Sequence, residues 1–368
     1  MVAPDSFKGS IGAAAAAAAL ARGWRAVRAS DQVSCLPLAD GGEGTLDVLA
    51  AAVPGASWHA ASVSGPGSER VTSSWLELPG QTGVIELARA SGLPLLASPD
   101  PLGAHTTGTG QLISAALDAG AARILIALGG SASTDGGTGA LTALGARFTD
   151  TAGIRLPPGG GALASLASAD LSALRPPAAG GVTCLTDVTA PLLGPLGAAA
   201  VFGPQKGAGP GQIAALEAGL TMLARVLGGD PAAPGAGAAG GTGYGFAAAW
   251  GAEIVPGAAE LGRIAGLDAA LAEADLVLTG EGRYDRTSTA GKVTGTVLAA
   301  AAAAAVPAAL AAGSIAELPA GLARAVSLSE LAGSAAAALA DPAHWLGLAG
   351  RLLAADWPAG PSRADGRT

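Results

Sequence analysis

Apolar residues along this chain gather in short runs, each closed by a glycine turn that bears acid or basic residues and then by a stretch rich in alanine and leucine. Residues 32–38 lead into Ala39-Asp40-Gly41-Gly42-Glu43-Gly44-Thr45 and an expected helix through Val53. Residues 123–128 lead into Gly129-Gly130-Ser131-Ala132-Ser133-Thr134-Asp135-Gly136-Gly137, and residues 275–279 into Gly280-Glu281-Gly282-Arg283-Tyr284-Asp285 with a helix expected from about Gly291. Strand, glycine turn and helix in repeated succession predict an α/β fold with a largely parallel sheet. Ligands of such sheets bind beyond the carboxyl ends of the strands, which makes these loops the candidate site.

Between about residues 56 and 86 the pattern changes to alternating runs rich in Ser, Thr and Val, such as 58–63 and 71–76, which predict antiparallel strands and a domain junction near residue 60. The Gly- and Ala-rich stretch 228–245 reads as a linker or a mobile lid. The alanine-rich run 11–20 reads as an amphipathic helix, and the run 298–312 is broken by Pro307, so no transmembrane segment is expected. The polar residues 358–368 are expected to form a disordered tail. A length of 368 residues suggests two domains, because single cores stop growing near about 250 residues.

A net charge of -8 argues against a nucleic-acid or anionic membrane surface, so an anionic ligand must be gripped locally. Cys35 and Cys184 are too few for a disulfide framework or a cysteine zinc site, and a reduced cytoplasmic setting is the expectation. Only three lysines occur, Lys8, Lys206 and Lys292, each against glycine in a loop-like stretch. In a chain whose other cations are all arginines, a retained lysine suggests a compact ammonium on a phosphate or carboxylate; the alternative is chance adjacency among 58 glycines. The segment 129–137 fits a phosphate cradle, since glycine lets backbone N–H groups approach an anion, or else an ordinary strand-to-helix turn. Arg286 and Val293 occupy positions that a P-loop around Lys292 would give to other residues, and the glycines at 241–245 lack dinucleotide-fingerprint spacing. The loop acids Asp5, Asp40, Glu43, Asp135, Asp187, Glu281 and Asp285 are candidates for holding magnesium or accepting a hydroxyl proton, or serve as helix caps.

At residues 3–10, 39–45 and 202–208 the chain resembles the bacterial type I glycerate kinases. The resemblance continues through Gly129 to Ala132, Asp135 to Gly137, Asp187-Val188, Thr279 to Arg283 with Asp285, and Gly291-Lys292, covering about residues 2–355 in consistent order. It implies ATP- and magnesium-dependent phosphorylation of D-glycerate, usually to 2-phosphoglycerate, on two α/β domains around a cleft, whose closure would gate turnover. One domain, Rossmann-like with a largely parallel sheet, would comprise residues 1–60 and 265–357; the other, with a mixed sheet, would be inserted as residues 61–264.

In that framework Lys8, Asp187 and Arg283 are the expected catalytic residues. Lys8 and Arg283 would hold the glycerate carboxylate or the moving phosphoryl group, and Asp187 would bind magnesium or receive the hydroxyl proton. Asp5, Ser6, Asp40, Glu43, Glu281 and Asp285 would surround glycerate, while Gly129, Gly130, Ser131, Ser133, Asp135, Gly136 and Lys206 would hold nucleotide phosphates. Glycerate and ATP are the expected small-molecule partners. Departures from the family pattern occur at Thr134, where asparagine is common, at Thr189 before Ala190 and Pro191, and at Thr287, where glutamine is usual. A kinase for another small hydroxy acid, or a non-catalytic organic-acid or nucleotide sensor, would rest on those changes. Only Met1, Val2 and Ala3 precede the Pro4-Asp5-Ser6-Phe7-Lys8 motif, so either translation begins upstream or the family's first strand is nearly lost.

Overall fold

The computed structural model describes residues 1–289, 291–318 and 321–357; the tail expected at 358–368 lies outside them. The chain forms two compact units, Gly41–Gly257 and Met1–Asp40 with Ala258 onward.

The larger unit is built on a six-stranded mixed sheet in the order β1 (Ser57–Ser64), β2 (Arg70–Leu78), β3 (Thr82–Glu86), β4 (Arg123–Ala127), β7 (Val182–Thr186) and β8 (Glu253–Pro256). Strands β5 (Arg147–Thr149) and β6 (Ser168–Asp170) form a separate antiparallel pair. The alternating sequence at 56–86 becomes the antiparallel part, β1 on β2 and β2 on β3, as expected. From β3 onward the pairing is parallel, with Val84 opposite Leu125 and Ile126 opposite Cys184. The apolar runs of β4 and β7 are buried throughout, as strands covered on both faces must be. Ile85, Leu112, Ile126, Leu220 and Phe246 lie in one continuous core.

The break between the units falls at Asp40–Gly41, ahead of the junction expected near residue 60. Helix Thr45–Ala52 packs on β2 and β3, and the Glu86 carboxylate at the end of β3 accepts hydrogen bonds from Gly44 N and Leu46 N, both at 3.1 Å. That acid ties the helix start to the larger unit's sheet.

The stretch 228–245 is not a linker. Gly235 to Ala238 and Gly240 to Gly245 are buried, and residues 238–250 form a helix interrupted by left-handed backbone at Ala239, Gly240 and Gly241. A Cβ on Gly240 would lie 2.1 Å from Ser133 O, and one on Gly245 2.0 Å from Gly136 O. These positions are glycine because the backbone of the 129–137 loop rests directly on them. Low complexity here reflects close packing rather than freedom.

The smaller unit carries a parallel sheet of β9 (Val277–Tyr284), β10 (Ala308–Ile315) and β11 (Arg324–Ser327), ordered β11-β10-β9. Residues 1–5 continue it beside β9 through Ala3 N to Leu278 O (2.7 Å) and Asp5 N to Gly280 O (2.8 Å). Residues 33–38 follow through Leu36 N to Val2 O (2.8 Å) and Leu38 N to Pro4 O (3.1 Å). Residues 1–5 thus lie inside the sheet, between β9 and residues 33–38. Helix Ala13–Arg25 buries its alanine face and Leu20 in a core shared with Leu346 and Leu353 of helix Pro342–Ala355.

Residues 280–284, read from sequence as a turn, instead continue β9 to Tyr284, which pairs with Ile315. Glycine serves close strand contact here: a Cβ on Gly280 would meet Ala311 O at 2.0 Å, and one on Gly313 would meet Gly282 O at 2.2 Å. The expected following helix forms as Val293–Ala303.

Candidate active site

In the smaller unit, three neighbouring extended segments end at the same edge with an acid near each end. Asp40 follows segment 33–38, Asp5 ends segment 1–5, and Glu281 lies in the last half of β9. All three are buried. They line a cavity of about 360 Å³ together with Lys8, Arg283 and Lys292. Lys8 Nζ lies 3.7 Å from Asp40 Oδ2, and Arg283 Nε lies 3.2 Å from Asp285 Oδ2. Lys292 Nζ donates to Thr287 Oγ1 at 3.1 Å, and Thr287 donates through N and Oγ1 to Asp285 Oδ1 at 2.9 and 2.6 Å. Apolar side chains, Phe7, Leu328, Ala338, Leu339 and Pro342, also line the cavity.

Burial, reinforced by Asp40 and Glu281, pushes the Asp5 carboxyl up to about 7, against a 2.6 Å hydrogen bond from Ser6 N and the attraction of Lys8. Burial also raises Glu281, against the hydroxyls of Ser288 and Thr294 and the charge of Lys292. Asp285 is held below the usual carboxylate range by its Thr287 hydrogen bonds. The site thus combines cations at its mouth with carboxylates in its floor, a set able to hold a small hydroxy acid by both kinds of group.

In the larger unit, the loops 41–44, 129–137 and 185–189 lie together at the carboxyl ends of β4 and β7. Gly129 N donates to Gly41 O at 2.9 Å, Leu128 N to Leu185 O at 3.1 Å, and a Cβ on Gly130 would meet Glu43 Oε1 at 2.8 Å. Glu43 therefore belongs to the phosphate-loop candidates of this unit and does not line the Asp5 cavity. Asp187 directly follows β7 and is half-buried.

Lys206 is 2% exposed; its Nζ donates to Ser131 Oγ at 3.1 Å and to the Ser133 carbonyl. Burial pulls its pKa down to about 8, against the attraction of Asp135. The Asp135 carboxylate accepts from Thr106 N and Oγ1 at 2.9 and 2.8 Å and from Gly137 N and Gly139 N at 3.1 Å each. Ser133, Asp135 and Gly136 thus lie within the loop's own packing, while Gly129 and Gly130 retain exposed surface.

Glu86 and Thr106, which brace these loops, were not singled out from sequence. Glu86 had a usable signal, an acid closing the apolar run Gly83-Val84-Ile85; Thr106 had none. Among the described residues no three His, Cys, Asp or Glu side chains gather as a metal cage. Magnesium asks for less, since one or two carboxylates with phosphate oxygens and waters suffice, and Asp187 beside the glycine loop fits that donor set. No helix of the described residues is long and apolar enough to cross a membrane.

Comparison with known proteins points the same way. Residues 1–357 match the glycerate kinase family. The glycerate 2-kinase of Escherichia coli K12 is 42% identical over 304 residues, covering 80% of this chain and 79% of that one. A glycerate kinase of Bacillus subtilis 168 is 43% identical over 303 residues, covering 79% and 78%. A crystal structure from Salmonella typhimurium LT2, assigned to glycerate kinase 2, superposes with a TM-score of 0.82 at 39% identity and 96% coverage of both chains. This chain belongs to the glycerate kinase family.

Proposed function

We propose that the protein phosphorylates D-glycerate from ATP, giving 2-phosphoglycerate. The observation that carries this reading is the smaller unit's cavity, where Lys8, Arg283 and Lys292 stand with the buried acids Asp5, Asp40 and Glu281. Glycerate offers one carboxylate and two hydroxyls. A cationic mouth suits the first and an acidic floor the others.

Phosphoryl transfer asks the protein mainly to align the attacking and leaving oxygens and to neutralise equatorial charge. Lys8 and Arg283 hold the glycerate carboxylate or the moving phosphoryl group, while Ser6, Asp40 and Glu281 orient the hydroxyls. In the larger unit, backbone N–H groups of Gly130 and Ser131 meet nucleotide phosphates, while Gly129 N, bonded to Gly41 O, holds the loop in place. Lys206, bonded to Ser131 and Ser133, fixes that loop, and Asp135 supports it from beneath. Asp187 would hold a magnesium ion, which when bound neutralises charge on the phosphate oxygens. Free thiols at Cys35 and Cys184 suit a reducing cytoplasm, and glycerate and ATP are the partners.

ADP release followed with D-glycerate, L-glycerate, glycolate and no acid tests this reading. Turnover selective for D-glycerate supports it. Turnover on another hydroxy acid alone replaces the substrate, and ATP binding without turnover on any acid replaces the enzyme with a sensor.

A further inference from the structure

We propose that Asp5 is the catalytic base that takes the proton from the reacting hydroxyl of the acceptor, with Asp40 and Glu281 as the positioning residues that keep it basic. This rests on the kinase reading and assigns one step within it.

The geometry singles out Asp5 among the acids of the cavity. It ends the central of three adjacent segments, joined to one neighbour through Leu38 N and Pro4 O and to the other through Asp5 N and Gly280 O. Its two flanking acids each have a nearby lysine: Lys8 lies 3.7 Å from Asp40, and Lys292 acts on Glu281. Asp5 shares the cavity lining with both carboxylates, whose charge raises it, against Lys8 and the Ser6 N–H. Two adjacent buried carboxylates resist ionising together, so the central one holds a proton more tightly than an isolated aspartate does. Burial first, and the neighbouring carboxylates after it, bring Asp5 to about 7, where a general base works well, ionised in a large fraction of molecules yet still proton-seeking. Asp187 lies in the other unit, with the loops assigned to nucleotide.

The hydroxyl O–H bond breaks and its proton forms a new bond to an Asp5 carboxylate oxygen. The hydroxyl oxygen bonds to the terminal phosphorus while the bridging oxygen leaves with ADP, and the proton then passes to solvent.

The test is the pH dependence of kcat and kcat/KM for the full chain, Asp5→Asn and Asp5→Glu with ATP, magnesium and D-glycerate, with folding checked by circular dichroism. In kcat/KM, which reports the free enzyme, the wild type is expected to fall as pH drops through about 7. Asp5→Asn is expected to lose about 10²–10⁴-fold in kcat, with a much smaller change in glycerate KM, and to lose that acid limb. Asp5→Glu should retain a limb at a displaced position. An Asp5→Asn enzyme with an unchanged limb, or one impaired in KM alone, overturns the proposal. If Asp5→Asn does not fold, a limb in Asp5→Glu at the wild-type position overturns it and a displaced limb supports it. A folded wild type without turnover rejects the kinase reading itself, and the base assignment falls with it.

Discussion

The Lys8 ammonium lies 3.7 Å from the Asp40 carboxylate, yet the lysine side chain is 73% exposed and that of the aspartate only 6%. One partner is anchored in the floor of a cavity and the other reaches into solvent at its mouth. With the ammonium largely in solvent the pair is screened and contributes only about 0–1 kcal/mol to stability.

Lys8→Ala is therefore expected to leave the melting temperature nearly unchanged while lowering kcat/KM for glycerate about 10²-fold or more, as loss of a charge-stabilising donor does. Lys8→Arg should not restore the rate, because a planar fork differs from a compact ammonium in reach and geometry. Steady-state kinetics beside thermal unfolding separates these effects. Near-normal turnover in Lys8→Ala would remove it from the site.

Gly240→Ala tests the packing beneath the glycine loop. The added methyl would lie 2.1 Å from Ser133 O, at a residue whose φ is +63°. Overpacking of this sort typically costs about 1–3 kcal/mol. A lower midpoint in urea unfolding, with a raised ATP KM, is the expected outcome; an unchanged midpoint would show that the loop does not depend on this contact.

The role of Gly240, close backbone packing, is not legible in the sequence. Apolar runs located β4, the first half of β9 and the extended segment 33–38, and the alternation at 56–86 located the antiparallel edge, because period and residue type report burial directly. The charged members of the smaller unit's site, Lys8, Asp40, Glu281 and Arg283, stood out because charge is scarce in this chain and they do share one cavity. Glycine itself was ambiguous. At Gly280 and Gly240 it permits another backbone to come close, whereas sequence offers the same letter for a turn or a linker. The internal use of Asp135, with four donors on its carboxylate, depends on Thr106 from a distant segment and left no local trace.

Lys206 should reveal itself through pH. Its folded pKa of about 8 lies below its usual 10.5, so across that window the unfolded state binds more protons and stability rises with pH. Urea unfolding of wild type and Lys206→Met from pH 7 to 10.5 should show this slope in the wild type alone. Lys206→Met should also raise the ATP KM while leaving the glycerate KM nearly unchanged.

Asp5 predicts the opposite slope. Its folded pKa of about 7 exceeds the usual 3.8, so the folded state holds the extra proton and stability falls as pH rises between those values. Asp5→Asn should thus be more stable than wild type at pH 8 and lose that advantage near pH 4. Equal stability differences at both pH values would contradict the buried, acid-flanked environment assigned to Asp5.

The most direct test of the glycerate kinase reading is phosphorus NMR of the purified protein with ATP, magnesium and D-glycerate. ATP is expected to be consumed with a new resonance at the position of 2-phosphoglycerate. A 3-phosphoglycerate resonance would contradict the assigned hydroxyl, and a folded protein that forms neither product would contradict the assigned function.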